Sequence, residues 1–262
     1  SQSCVLIAGE GDGMQRDYWY DTQRAFSDLE SAEDTGHKAA HRTVDRLGAR
    51  NIPTCHVPIL LTPEVARGLI GHFVGAISGG ALYRKASFLL DSAGQRLFPD
   101  WMSISERPHI PRGPSSTAFD AEGVATSNRE VIENGVLTGY VLSSYSARRL
   151  GLETTGNAGG VNNLIVQAGE FSADELVKQM GTGLLVTEVM GQGVSLVTGD
   201  YSRGAGGYWV DNGEIQFPVD EVTIAGNLKD MFRALTPAGD LVFQYGSNAP
   251  TVRIDGMTVA SG

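Results

Sequence analysis

Three dipeptides limit most tightly how this chain can fold: Asn134-Gly135, Asn212-Gly213 and Asp255-Gly256, each between strand-like runs. Asn-Gly and Asp-Gly reach positive φ at low cost, and a two-residue hairpin needs that to match the twist of its strands. Each is therefore read as the tip of an antiparallel hairpin. The 34 glycines among 262 residues suit a chain with many tight turns, so a β-rich fold is favoured over a helix bundle. A chain of this length buries a sizeable core without disulfides or metals.

Helical signals fill the intervals. Residues 33–47 carry a helical pattern, and Gly48 suits its stop. Pro63 opens a second helix whose Val65, Leu69, Phe73 and Ile77 fall on one stripe. Ser172-Ala173-Asp174-Glu175 is a capping box that starts a helix reaching Met180, and residues 226–235 supply a last one. Strands are expected at 4–8, returning through 14–24, and again at 57–61 and 86–90. The proline-rich stretch 99–116 is expected to be a long loop serving as a gate or contact surface. Together these describe one α+β domain over residues 1–262, with antiparallel hairpins, a mixed sheet and a few packed helices.

Charge narrows the partners. A formal net charge of −10, with no basic run longer than two residues such as Arg148-Arg149, argues against nucleic acid, which is bound through clustered Lys and Arg. Cys4 and Cys55 are the only cysteines, which fits a reducing compartment and a cytoplasmic location. No apolar run is long enough to span a bilayer, and no signal peptide is evident. The chain runs from Ser1 straight into the apolar stretch 4–8, which reads as a fragment or mature piece.

Several patterns could carry chemistry, each with a plainer reading. His37 and His41 stand one helical turn apart, a spacing able to chelate zinc, but Lys38 and Arg42 flank them and no third ligand is in view. Gly9-Glu10-Gly11-Asp12-Gly13 resembles a dinucleotide loop, yet an aromatic, alternating segment follows where that motif needs a helix, so a hairpin turn is preferred. The glycine-rich stretch Thr154 to Gly160 reads equally as an anion nest or an irregular loop. Asp120 with Glu122, and Asp200 with Arg203, fit solvated or capped turns; His56 and His109 are isolated. His72 lies among glycines and apolar residues on the second helix. The residues alone leave it as a metal ligand, a contact or a core histidine.

A resemblance bears on that choice. The segments Tyr83-Arg-Lys-Ala-Ser-Phe-Leu-Leu-Asp91, Phe119-Asp-Ala-Glu-Gly123 and Ser143-Ser-Tyr-Ser-Ala-Arg-Arg-Leu-Gly151 resemble the C-terminal region of the PmbA/TldE proteins. So do Thr155-Gly-Asn-Ala158, Met190-Gly-Gln-Gly193, Thr198-Gly-Asp-Tyr-Ser202 and Thr223-Ile-Ala-Gly-Asn-Leu228, all in family order. The family has an additional N-terminal domain, absent from this sequence. Its TldD branch carries a His-Glu-x-x-x-His zinc motif on the equivalent helix, completed by a C-terminal cysteine. With His72 at the second histidine, Arg67 takes the first histidine's place and Gly68 the glutamate's, and Phe243-Gln-Tyr-Gly-Ser-Asn248 holds no cysteine. Hydrolytic zinc needs about three protein ligands and a nearby base, which this set does not provide.

The resemblance therefore implies a subunit without catalytic residues or zinc of its own. Zinc is expected in a TldD-like catalytic partner, and unfolded peptides, including peptide precursors and antitoxins, are the expected substrates. A homodimer is possible for the isolated chain. Arg67, Gly68, His72, Gly156, Asn157, Asp200 and Tyr201 are expected to form a peptide cleft or vestigial site, with Gly68, Gly71 and Gly75 as points where another segment approaches the helix. Two other readings stay open: a self-sufficient metallopeptidase, or a peptide-binding module without catalysis.

Overall fold

Both Asn-Gly sites are hairpin tips. In the computed structural model, which describes residues 1–261, Asn134 and Gly135 have φ of 49° and 78°, and Asn212 and Gly213 have 52° and 74°. Positive φ at both central residues makes the turn that strand twist favours. At 255–256 only Gly256 is positive, at 77°. One such residue makes a bulge rather than a reversal. The third expected hairpin is thus a kink inside a single strand.

The chain opens with a separate hairpin, β1 (Gln2–Ala8) and β2 (Gln15–Asp21), which pairs Val5 with Tyr18. Helix α1 (Ala32–Asp45) follows, its first turn capped by Ser31, and buries Thr35, Ala39 and Thr43. Next come β3 (Cys55–Leu61), α2 (Pro63–Ala76) and α3 (Gly79–Tyr83). A run of short elements leads onward: β4 (Ile104–Glu106), β5 (Arg129–Glu133), β6 (Val136–Leu137), α4 (Ser144–Leu150) and β7 (Leu164–Val166). The chain continues through α5 (Ala173–Met180), with the expected capping box, then β8 (Gly183–Met190), β9 (Asp200–Asp211) and β10 (Glu214–Asn227). It ends with α6 (Leu228–Arg233), β11 (Leu235–Pro237), β12 (Ser247–Asn248) and β13 (Val252–Ser261).

The larger sheet has the order β10-β9-β8-β3-β13-β11, and β10 also pairs with β13, closing five strands into a ring. Its β3–β8 pair is parallel and its other pairs are antiparallel. The smaller sheet runs β12-β7-β4-β5-β6. Helix α2 shares one core with both: Leu69, Ile70 and Phe73 cluster with Ile59 and Ile224 of the ring and with Ile104 and Val131 of the small sheet. This is the α+β arrangement expected, with a mixed sheet.

Three expected elements differ. Residues 86–90 form turns rather than a strand, because Ser87 Oγ donates to the Ala76 carbonyl and the Phe88 amide to Leu196, outside any sheet ladder. Stretch 99–116 is not structureless: it contributes β4 to the small sheet, and Asn163 pins its proline-rich part by accepting from the Ser115 amide and donating to Ser116 Oγ. The last helix is shorter than expected because Asn227 caps it and Gly226 stays in β10.

Candidate functional site: a cleft along helix α2

Helix α2 turns Val65, Ala66, Leu69, Ile70, Phe73 and Ala76 into the core. The helical period then leaves Arg67, Gly68, Gly71 and His72 on the other side, where the glycines are exposed and Arg67 and His72 half-buried. This side forms one wall of a cavity of about 280 Å³. The opposing walls come from residues 17–20 of β2, Arg42 of α1, residues 187–189 of β8, Arg203 of β9 and Tyr245.

Arg67 is held in two ways. Its guanidinium lies over the Tyr245 ring, 3.9 Å from the centroid, and Nη2 donates to Tyr20 Oη at 3.3 Å. Burial, with the Tyr20 hydroxyl beside it, pushes the Tyr245 phenol well above its ordinary range, so it stays neutral. Ion pairs lie in and behind the cavity wall. Arg42 donates to Asp17 at 3.4 Å and Glu64 at 3.2 Å. Arg46 donates to Glu188 at 2.6 Å and lies 3.6 Å from Asp17 and 3.8 Å from Asp220. Burial opposes the Arg46 charge, but the Glu188 hydrogen bond and the three carboxylates outweigh it and keep the group cationic.

His72 meets Tyr201 edge to face, with ring centroids 6.1 Å apart. Burial first, then the Arg203 charge, hold its pKa below the ordinary 6.5. A neutral imidazole beside a guanidinium is a poor cation site. Among the described residues, no group of three or more His, Cys, Asp and Glu side chains stands together in a way that could hold a metal ion. The residues present therefore do not fit a zinc centre. His37 and His41 are exposed on α1, outside any such group.

The depressed His72 pKa has a measurable consequence. The unfolded chain protonates this imidazole near pH 6.5 while the folded one resists, so the unfolded state binds more protons and stability falls as pH drops through 6.5. Urea midpoints of the wild type and His72→Gln, compared at pH 8 and pH 5 (about one and a half units either side of an ordinary histidine), should show the wild type losing more. Parallel losses would mean that His72 titrates normally.

The other expected site residues disperse. Tyr201 is buried behind His72, where burial raises its pKa. Asp200 is exposed and accepts from Thr198 Oγ1 at 2.6 Å and Asn227 Nδ2 at 3.2 Å, which makes it part of a capped turn. Gly156 and Asn157 lie away from the cleft. Asn157 is 5% exposed and donates to Glu106 Oε1 at 2.7 Å and to the Gly160 carbonyl at 3.0 Å. Gly156 has φ of 68°, and a Cβ there would stand 2.8 Å from the Ala125 carbonyl oxygen. The amides of Thr155 and Asn157 donate to Leu142 and that of Ala158 to Asp120, so this loop spends its donors internally rather than on an anion. Desolvation opposes the Asp120 charge, but the amides of Ala158, Val124 and Glu122 all donate to the carboxylate and hold it below its usual range.

Among the described residues, the close approaches expected at the α2 glycines occur at Gly75, where a side-chain Cβ would stand 3.1 Å from Leu196, while a Cβ at Gly68 or Gly71 would meet nothing within 4 Å. Sequence reasoning does not find Tyr20, Arg203 or Tyr245 as cleft residues. The one faint signal is the aromatic run Tyr18-Trp19-Tyr20, while Tyr245 lies inside the cysteine-free segment 243–248.

With this geometry the relatives can be placed. A family model described as PmbA/TldA metallopeptidase C-terminal domain matches residues 54–261, and the central-domain model of the same family matches residues 1–47. The chain belongs to the PmbA/TldA metallopeptidase family. The Metalloprotease PmbA of Escherichia coli O157:H7 is 54% identical over 91% of this chain and 53% of its own length. A solved Thermotoga maritima protein, provisionally named a modulator of a DNA gyrase, is 34% identical with a TM-score of 0.90, over 98% of this chain and 61% of its own. TldE of Thermococcus kodakarensis shares the fold, with a TM-score of 0.84 at 21% identity over 99% of this chain and 62% of its own. The chain thus spans about half to three-fifths of these relatives.

Proposed function

We propose that this chain is the peptide-holding part of a TldE-type subunit in a two-component zinc peptidase of the cytoplasm. A TldD-like subunit supplies the zinc and the cleavage, and unfolded peptides are the substrates. Two free cysteines and the absence, among the described residues, of any helix long and apolar enough to cross a membrane are compatible with that setting. Arg67, Gly68 and His72 then form a cleft that receives peptide, without holding metal.

The observation that carries this reading is the unpaired edge of β8 beside the cleft. Strand β3 pairs with β8 only as far as Val186, so residues 187–189, which line the cavity, have β9 as their one strand partner. Residues 17–20 of β2 line the opposite wall and pair, among the described residues, with β1 alone, but their outer edge is partly spent: the Tyr18 amide donates to Asp17 Oδ1 and the Tyr20 carbonyl accepts from Gln244 Nε2. An extended peptide can add to the β8 edge through main-chain hydrogen bonds, which supply affinity with little sequence preference. Tyr20, Tyr245 and Arg67 add flat surfaces for side chains.

The test is zinc content and cleavage of an unfolded peptide, for the full chain alone and mixed with a TldD-like subunit. Activity only in the mixture, with no zinc in this chain, is the expected result. The name of the 54% identical relative, Metalloprotease PmbA, favours a second reading, a peptidase active by itself. Stoichiometric zinc and cleavage by this chain alone would establish that reading. Peptide binding unaffected by any partner, with no cleavage in the mixture, would instead mark a binding module.

A further inference from the structure

The cleft is also unusual in its unmatched cations. Its carboxylates are all engaged: Asp17 with Arg42 and Arg46, Glu64 with Arg42, and Glu188 with Arg46 and Arg16. Arg67 and Arg203 line the same cavity, are half-buried, and enter no ion pair among the described residues. In a chain with a net charge of −10, carboxylates to pair with them are plentiful. Two half-buried guanidiniums left facing a cavity lose solvation without gaining a counter-charge.

Their hydrogen-bonding capacity is mostly unspent. A guanidinium has five N–H donors in a rigid fork. Arg67 uses one, to Tyr20 Oη, while stacking on Tyr245 fixes the plane of the fork. Arg203 is anchored through Nε to the Met190 carbonyl at 3.0 Å, and its two terminal nitrogens have no hydrogen-bond partner among the described residues. A fork fixed in orientation with open N–H groups suits bidentate binding of a planar carboxylate. His72, which lines the same cavity and is held neutral, adds no competing charge.

We propose that Arg67 and Arg203 form an anion subsite that binds a carboxylate of the peptide, either its chain end or an acidic side chain. This rests on the reading of the cleft as a peptide site. The subsite sets where a peptide stops or which residue it aligns, so it fixes register where main-chain pairing alone would let the peptide slide.

The experiment uses the full chain and a fluorescent, unstructured peptide with one internal Glu, followed by anisotropy. Its companions are the same peptide as a C-terminal amide, with Glu replaced by Gln, and with both changes. Removing the recognised carboxylate is expected to weaken binding about 10-fold or more, the scale of a charge-assisted hydrogen bond. Loss on amidation identifies the chain end as the source, and loss on Glu→Gln the side chain. In Arg67→Gln and Arg203→Gln, shown to be folded by unchanged thermal midpoints, that discrimination should shrink; in the double variant it should vanish. Equal binding of all four peptides to the wild type overturns the subsite while leaving the cleft as a peptide site. Discrimination that survives in the double variant overturns it as well. If none of the peptides binds, the peptide-cleft reading fails and takes the subsite with it.

Discussion

Phe73→Ala is expected to destabilise the protein by about 3–5 kcal/mol, the range for emptying a buried aromatic site. Phe73 is 0% exposed and packs edge to face on Phe98 at 5.2 Å and on Phe232 at 5.8 Å. Phe98 and Phe232 stack on each other at 5.0 Å, so the three rings support one another and none can move to fill the void. Phe73 is in α2, Phe232 in α6, and Phe98 in the connection leading to the small sheet. The cluster therefore joins the helix that carries Arg67 and His72 to both sheets. A whole domain is stable by about 5–15 kcal/mol, so this one change consumes a large share. Urea unfolding should show a lower midpoint at unchanged slope, and Phe73→Leu should be markedly less destabilising because it keeps most of the apolar volume. A loss under about 1 kcal/mol for Phe73→Ala would mean that the core around α2 is loosely packed.

The same helix shows what is legible in the sequence. Its buried stripe follows from the spacing of Val65, Leu69 and Phe73, and that places Arg67 and His72 on the opposite side. Periodicity cannot show what faces that side. Tyr20 and Tyr245 lie on separate segments and reach Arg67 only through tertiary packing. Turn chemistry is informative where both residues of the dipeptide must adopt positive φ, as at 134–135 and 212–213. It misleads at 255–256, because a glycine alone serves a bulge as well as a turn. The glycine-rich loop at 154–160 is visible as a loop needing unusual φ, but its purpose is hidden. That purpose depends on Glu106, about fifty residues away in sequence, a separation that local pattern does not report.

Glu106→Ala is the second change expected to cost about 3–5 kcal/mol, the scale for removing one partner of a buried, hydrogen-bonded ion pair. The carboxylate is 2% exposed and fully used. Oε2 accepts from Arg129 Nε at 2.8 Å, and Oε1 accepts from Asn157 Nδ2 at 2.7 Å and from the Asn162 amide at 2.6 Å. Truncation strands three donors, one of them a cation whose side chain is only 17% exposed. Arg129 has little reserve, because Nη1 is committed to the Tyr140 carbonyl and Nη2 is buried with no partner among the described residues. Glu106→Gln fills the space but turns an NH2 toward one of those donors, so it should recover only part of the loss. The double variant Glu106→Ala/Arg129→Met removes the orphaned cation and should be more stable than Glu106→Ala alone, the coupling expected of a shared network. A double-mutant cycle from urea midpoints reads this directly. Additive losses would show that Glu106 acts through Asn157 and Asn162, with Arg129 a bystander. Cleft residues Arg67 and Arg203 take no part in this network, so peptide binding measured under native conditions should survive in every variant that still folds.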